Sequence, residues 1–170
     1  MATQTERRNA TRGAILDAAT SAYEGGDLSV ALDEIATIAG VTKGTIFYHF
    51  ESRAGLLRAV AERALARLEA RLAREVDDID VMTWVRRVLS EQASPMGRLL
   101  FAINDELAPT KELIDADPYL YLTARLDAFG VRAPATLIAA AMLQYARQLA
   151  FDAPSAGTID SVMADLEYLL

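Results

Sequence analysis

Apolar positions recur at helical spacing along almost the whole chain, and no stretch alternates as a half-buried strand requires. From about residue 8 to 24, Ile15, Ala18, Ala19, Ala22 and Tyr23 fall on one face, and Gly25-Gly26-Asp27 ends that helix. Two short helices follow, over about 31–39 and 42–48. Ser52 stands as the N-cap of a long fourth helix reaching about Glu75, with Leu57, Ala61, Ala64, Leu65, Leu68 and Leu72 as its apolar stripe. The acidic run Asp77-Asp78-Ile79-Asp80 breaks the pattern, and its carboxylates favour the start of a fifth helix over about 81–92, carrying Val81, Val85, Val88 and Leu89. Pro95 opens a sixth helix to about Leu107. Pro109, Pro118 and Pro134 punctuate a seventh region broken near Asp117. The last two helices span about 134–152 and 158–169, joined by Asp152-Ala-Pro-Ser-Ala-Gly. The pattern predicts an all-α chain without internal repeats.

The most specific signal is the turn between the second and third helices. Gly40 sits where the second helix must stop, because glycine enters the left-handed C′ conformation without penalty. Thr42 supplies a hydroxyl N-cap to the third helix. Ala36 and Ala39 keep the second helix thin, while Ile35, Val41 and Ile46 are spaced to bury against it. This is the layout of a helix-turn-helix whose second member enters a DNA major groove.

An ordered series of residues extends that signal: Arg12-Gly-Ala-Ile-Leu-Asp-Ala-Ala-Thr, Gly26, Glu34-Ile35-Ala36, Ala39 through Thr45, Phe47-Tyr48-His49-Phe50, Ser52-Arg53 and Leu56-Leu57. Together these resemble the DNA-binding domain of the tetracycline-repressor (TetR) family of bacterial transcription regulators, over roughly the first third of the chain. The resemblance implies a helix-turn-helix domain over residues 1–51 and a helical regulatory and dimerisation domain over 52–170. It implies DNA contacts by Thr42, Lys43, Gly44, Thr45, Tyr48, His49 and Arg53. Lys43 reaches phosphate or guanine acceptors, Gly44 permits close approach of the helix backbone, and Arg53 supports a phosphate at the first turn of the fourth helix. Four positions depart from the family pattern. Phe47 stands where tyrosine is usual, Arg53 where lysine is usual and Ala54 where an acid is usual; Val30 occupies the usual Ser/Thr N-cap of the second helix, leaving Ser29 to cap it.

Charge changes the picture by showing where DNA would not bind. The chain has net charge −7. Residues 1–60 carry six Arg/Lys and seven Asp/Glu, and residues 61–170 carry eleven and seventeen, so the acidity lies mostly outside the reading head. Affinity for DNA follows local phosphate contacts rather than total charge; Arg7, Arg8 and Arg12 precede or open the first helix, and Lys43, Arg53 and Arg58 cluster around the motif. With one histidine, no cysteine and no Gly-rich phosphate loop, most nucleophilic, metal and nucleotide sites are missing. No enzyme, no metal and no cofactor are expected. No apolar run reaches membrane-spanning length, and the N-terminus lacks a signal-peptide core, so a cytoplasmic location is expected.

The resemblance further implies a homodimer built on the last two helices, with Leu137, Ile138, Ala141, Tyr145, Val162 and Leu166 at the interface. It also implies a small-molecule pocket, for which Trp84, Phe101, Tyr119, Tyr121, Phe129 and Met142 supply apolar lining. The expected function is a repressor of a palindromic operator released by a ligand. The alternative is a helical interaction module that has kept the fold and lost DNA binding.

Overall fold

In the computed structural model, which describes residues 3–24, 26–73, 79–108, 118–151 and 156–170, nine α-helices and no strand occur among those residues. They are α1 (Gln4–Ala22), α2 (Leu32–Ile38), α3 (Lys43–Phe50), α4 (Arg53–Ala73), α5 (Val81–Gln92), α6 (Pro95–Leu107), α7 (Pro118–Phe129), α8 (Ala135–Phe151) and α9 (Ala156–Glu167). The expected linker residues Gly25, Asp77, Asp78, Pro109, Asp117 and 152–155 lie outside the described set, as does the side chain of Tyr119.

Local chemistry explains the helix ends. The α1 helix begins at Gln4, four residues before the expected start near residue 8. Its first turn is polar and shows no hydrophobic period; a capping box starts it instead. The Thr3 hydroxyl accepts from the Glu6 amide at 3.2 Å and the Glu6 carboxylate accepts from the Thr3 amide at 2.6 Å. Ser29 does not cap α2. Its amide donates to Asp27 Oδ1 at 2.9 Å, forming a local turn, and α2 starts at Leu32 behind Ala31 with no side-chain cap. Asp33 and Glu34 in the first turn of α2 complement its free amides instead. Ser52 caps α4 through the Gly55 amide at 2.9 Å, and Asp80 caps α5 through the Thr83 amide at 3.0 Å. The Thr83 hydroxyl and amide hold the Asp80 carboxyl below the usual carboxylate range.

Two compact units result: Met1–Ala64 with Leu99–Ile114, and Leu65–Arg98 with Asp115–Leu170. Helices α4 and α6 contribute residues to both. In the first unit, Ile15 and Ala19 of α1 and Tyr23 just after it form one core with Ile35 of α2 and with Ile46 and Phe50 of α3. Leu56, Leu57 and Val60 of α4 and Leu99, Ile103 and Leu107 of α6 complete it. In the second unit α8 packs against α5, α7 and α9, and α5 also packs on α9. Its buried residues include Trp84, Val85, Val88 and Leu89 of α5, Leu122 and Leu126 of α7, and Val162, Met163 and Leu166 of α9. No helix among the described residues is long and apolar enough to cross a membrane.

Candidate nucleic-acid interface

The α2–α3 junction is fixed by backbone geometry before any side chain contributes. Gly40 has φ +67°, the Val41 amide donates to the Ala36 carbonyl at 2.9 Å, and the Gly40 amide donates to the Thr37 carbonyl at 3.2 Å. This pair of bonds is the Schellman arrangement, and it satisfies carbonyls that the end of α2 leaves free. The chain then re-enters a helix at once, because the Thr42 hydroxyl accepts from the Thr45 amide at 3.2 Å. The Thr42 and Thr45 hydroxyls are 3.0 Å apart and share a hydrogen bond.

One side of α3 is anchored by Ile46 and Phe50, both buried in the core of the first unit. The opposite side carries Lys43 and Phe47, and Gly44 and Tyr48, two pairs at i,i+4 spacing that share a face. All four are exposed. Tyr48 keeps 68% of its surface, with the Arg8 guanidinium 5.6 Å from its ring centroid. Arg12 lies 5.0 Å from the Phe50 ring centroid. These two arginines bring α1 to the end of α3, a contribution that residue spacing alone did not reveal. The cue available in the sequence was a pair of basic residues spaced i,i+4 on α1.

His49 sits between them, its ring edge-on to Tyr48 at 5.2 Å between centroids. Burial, and then the charges of Arg8 and Arg12, push its pKa below the usual imidazole value. Its Nδ1 is buried and accepts no hydrogen bond from the described residues. His49 therefore combines packing with a place at the exposed end of α3.

Two expected DNA contacts have protein partners. Lys43 Nζ donates to Asp33 Oδ2 at 2.8 Å, an exposed ion pair across the turn. Arg53 bonds to the Leu28 carbonyl and pairs with Glu106 at 2.9 Å. The α1–α2 loop and the end of α6 thus hold its guanidinium, so Arg53 braces the first unit, a role that the sequence pattern did not indicate. Gly44 is not required by packing: an added Cβ would meet only the Thr42 hydroxyl oxygen, at 3.7 Å.

Residues 15–60 match the family described as bacterial regulatory proteins, tetR family. Over that stretch the chain is similar to the TetR family. It is 33% identical over 87 residues to the HTH-type transcriptional regulator TtgR of Pseudomonas putida, an overlap covering 49% of this chain and 41% of that protein. A probable HTH-type transcriptional regulator, ArpR of Pseudomonas putida, matches to the same extent. The match thus spans less than half the length of these curated relatives. Over nearly the whole chain the fold is similar to that of the TetR-like regulator LfrR from Mycobacterium smegmatis, solved in complex with proflavine. There the identity is 25%, the TM-score 0.65, and the coverage 95% of this chain and 96% of that one.

The remaining site expectations fall in the second unit, with one exception. Trp84 and Met142 are buried, Tyr121 and Phe129 are half-buried, and the Trp84 and Phe129 rings lie 5.6 Å apart. Phe101 lies on α6 in the first unit. Of the six residues expected at a dimer interface, Ile138, Val162 and Leu166 are buried within the single chain. The reason is that α8 turns Ile138, Ala139, Met142, Ala146, Leu149 and Ala150 inward in its contacts with α5, α7 and α9, and that α9, which carries Val162 and Leu166, packs on α5 and α8 of the same chain. Leu137 stays 55% exposed, and Ala141 and Tyr145 are partly exposed, with the Tyr145 hydroxyl 3.3 Å from Asp165.

Proposed function

We propose that this chain is a DNA-binding transcriptional repressor that reads a palindromic operator as a homodimer and is released by a small molecule. The observation that carries the reading is the exposed face of α3. Lys43, Gly44, Phe47 and Tyr48 stand outward from a helix locked by the Gly40 turn, the Thr42 cap and the buried Ile46 and Phe50. Such a helix presents basic, small and aromatic groups to a major groove while its position is set by the core. Thr42 and Thr45 offer hydroxyls at its start, and His49 and Arg8 flank its far end for phosphate. Lys43 exchanges Asp33 for phosphate on binding, and Arg53 holds the first unit in shape.

In this reading residues 1–51 form the reading head and 52–170 the regulatory body. Two heads about 34 Å apart, one turn of DNA, match a two-fold operator. The exposed Leu137, Phe151 and Tyr168 on and beside α8 and α9, with the partly exposed Ala141 and Tyr145, supply a dimer surface. The effector is held among Trp84, Tyr121, Phe129 and Met142, an apolar lining with few polar groups. It releases DNA through higher affinity for a body conformation that misplaces the heads. The presence of proflavine in the LfrR structure supports a ligand-responsive body.

The test is a titration of the full chain against duplex flanking its own gene, with unrelated duplex as competitor, at about 50 and 200 mM salt. Tight, competitor-resistant binding that weakens steeply with salt is expected. Equal weak binding to this duplex, to the competitor and to every duplex from a random pool would leave an interaction module as the function.

A further inference from the structure

The large apolar residues that remain exposed in the described part of the first unit are Ile38, Phe47 and Tyr48, and all three lie in the helix-turn-helix. Phe47 differs from its neighbours in chemistry. It stands on the outward face of α3, one turn from Lys43 and beside Tyr48, and keeps 41% of its surface. Its ring carries neither a donor nor an acceptor, so it cannot bond a phosphate or a polar base edge. An aromatic ring left in water forgoes the stabilisation that burial would give, and its outward position serves the fold in no visible way. On the base edges of the major groove, the apolar group available to such a ring is the C5-methyl of thymine.

We propose that Phe47 determines sequence preference by packing on a thymine methyl in each half-site. The inference rests on the DNA-binding reading above. A nucleic-acid occupant is favoured over a protein one by what surrounds the ring: Lys43 on one side, and Tyr48 with the Arg8 guanidinium over it on the other. These flanks complement phosphate on both edges of the groove. Lys43 and Arg8 then supply affinity without base information, and Phe47 supplies discrimination.

The test begins by selecting a tight duplex from a random pool with the full chain. Each thymine of that duplex is then replaced singly by deoxyuridine, which deletes one methyl and preserves every hydrogen-bonding group. For the wild type, uracil at one thymine per half-site is expected to weaken binding about fourfold, the worth of one buried methyl group. With Phe47→Ala the two duplexes are expected to bind equally, and Phe47→Leu should restore part of the discrimination. Because Phe47 is exposed, both variants should keep the helical content and melting temperature of the parent. Uracil tolerated at every position would overturn the inference, as would an unchanged uracil penalty in Phe47→Ala. A loss of self-association in Phe47→Ala, with no change in the uracil response, would assign the ring to a second copy of the chain. If selection enriches no duplex, the DNA-binding reading itself falls and this inference with it.

Discussion

At Gly44 the structure separates the needs of the fold from those of the ligand. Open space around its added Cβ means that Gly44→Ala should raise stability, by about 0.5 kcal/mol from helix propensity, as read by urea unfolding. In the DNA-binding function proposed above, the same methyl stands where α3 approaches bases, so operator binding should weaken about tenfold or more, equivalent to about 1.4 kcal/mol. Lys43 and Asp33 give a second test at this scale. Their ion pair is exposed and contributes little to stability. Asp33→Asn should leave the unfolding free energy within about 0.5 kcal/mol, yet tighten DNA binding severalfold at low salt, because Lys43 no longer leaves a carboxylate to reach phosphate. Lys43→Ala should reduce the salt slope by about one. His49 makes stability depend on pH. Its folded pKa lies below the unfolded value of about 6.5, so between the two values the unfolded chain takes up a proton that the folded chain resists. Stability should therefore fall as pH drops through that window, and His49→Gln should flatten the dependence in unfolding measured at pH values of about 7.5 and 5.5. In the proposed DNA complex a phosphate beside His49 favours the imidazolium, so DNA binding should strengthen over the same window.

At the scale of elements, two glycines inside helices are expected to respond in opposite directions. Gly13 lies within α1, and an added Cβ has nothing within 4 Å, so Gly13→Ala should stabilise by about 1 kcal/mol. Gly55 lies in the first turn of α4, where an added Cβ would stand 2.1 Å from the Phe50 carbonyl oxygen at the end of α3. That clash is with backbone, so Gly55→Ala should destabilise by roughly 2–3 kcal/mol and blunt DNA binding by displacing α3. Thermal unfolding of the pair checks both signs. Helix boundaries show what a sequence can convey at this scale. The span of α5 over 81–92 and that of α6 over 95–107 were legible because Asp80 and Pro95 start them and the hydrophobic period fills them. The early start of α1 was not, since only the Thr3–Glu6 box defines it. The cap of α2 was misread: the Ser29 amide turns to Asp27, and α2 starts at Leu32 behind Ala31 with no side-chain cap.

At the scale of the whole molecule, the distribution of apolar surface bears on assembly. Leu137 and Phe151, each more than half exposed at opposite ends of α8, are surface that a lone chain leaves in water. Leu137→Glu with Phe151→Glu should shift the protein from dimer to monomer in sedimentation, with unchanged helical circular dichroism. It should also weaken binding to a two-half-site duplex far more than binding to one half-site. Ile138, Val162 and Leu166 would not serve this purpose, because they are core and charging them would unfold the second unit.

The all-helical class, the Gly40 turn, the Thr42 cap and the outward face of α3 follow from residue type and spacing. Each is a local property: a φ that favours glycine, a hydroxyl within reach of an amide, a 3.6-residue period. What tertiary structure decided is which partner each polar or apolar group meets. The guanidinium of Arg53 turned to Leu28 and Glu106, Arg8 reached Tyr48 from a helix far earlier in the chain, and half of the apolar positions expected between subunits closed into one chain. Those outcomes depend on contacts between residues far apart in sequence, and local periodicity carries no information about them.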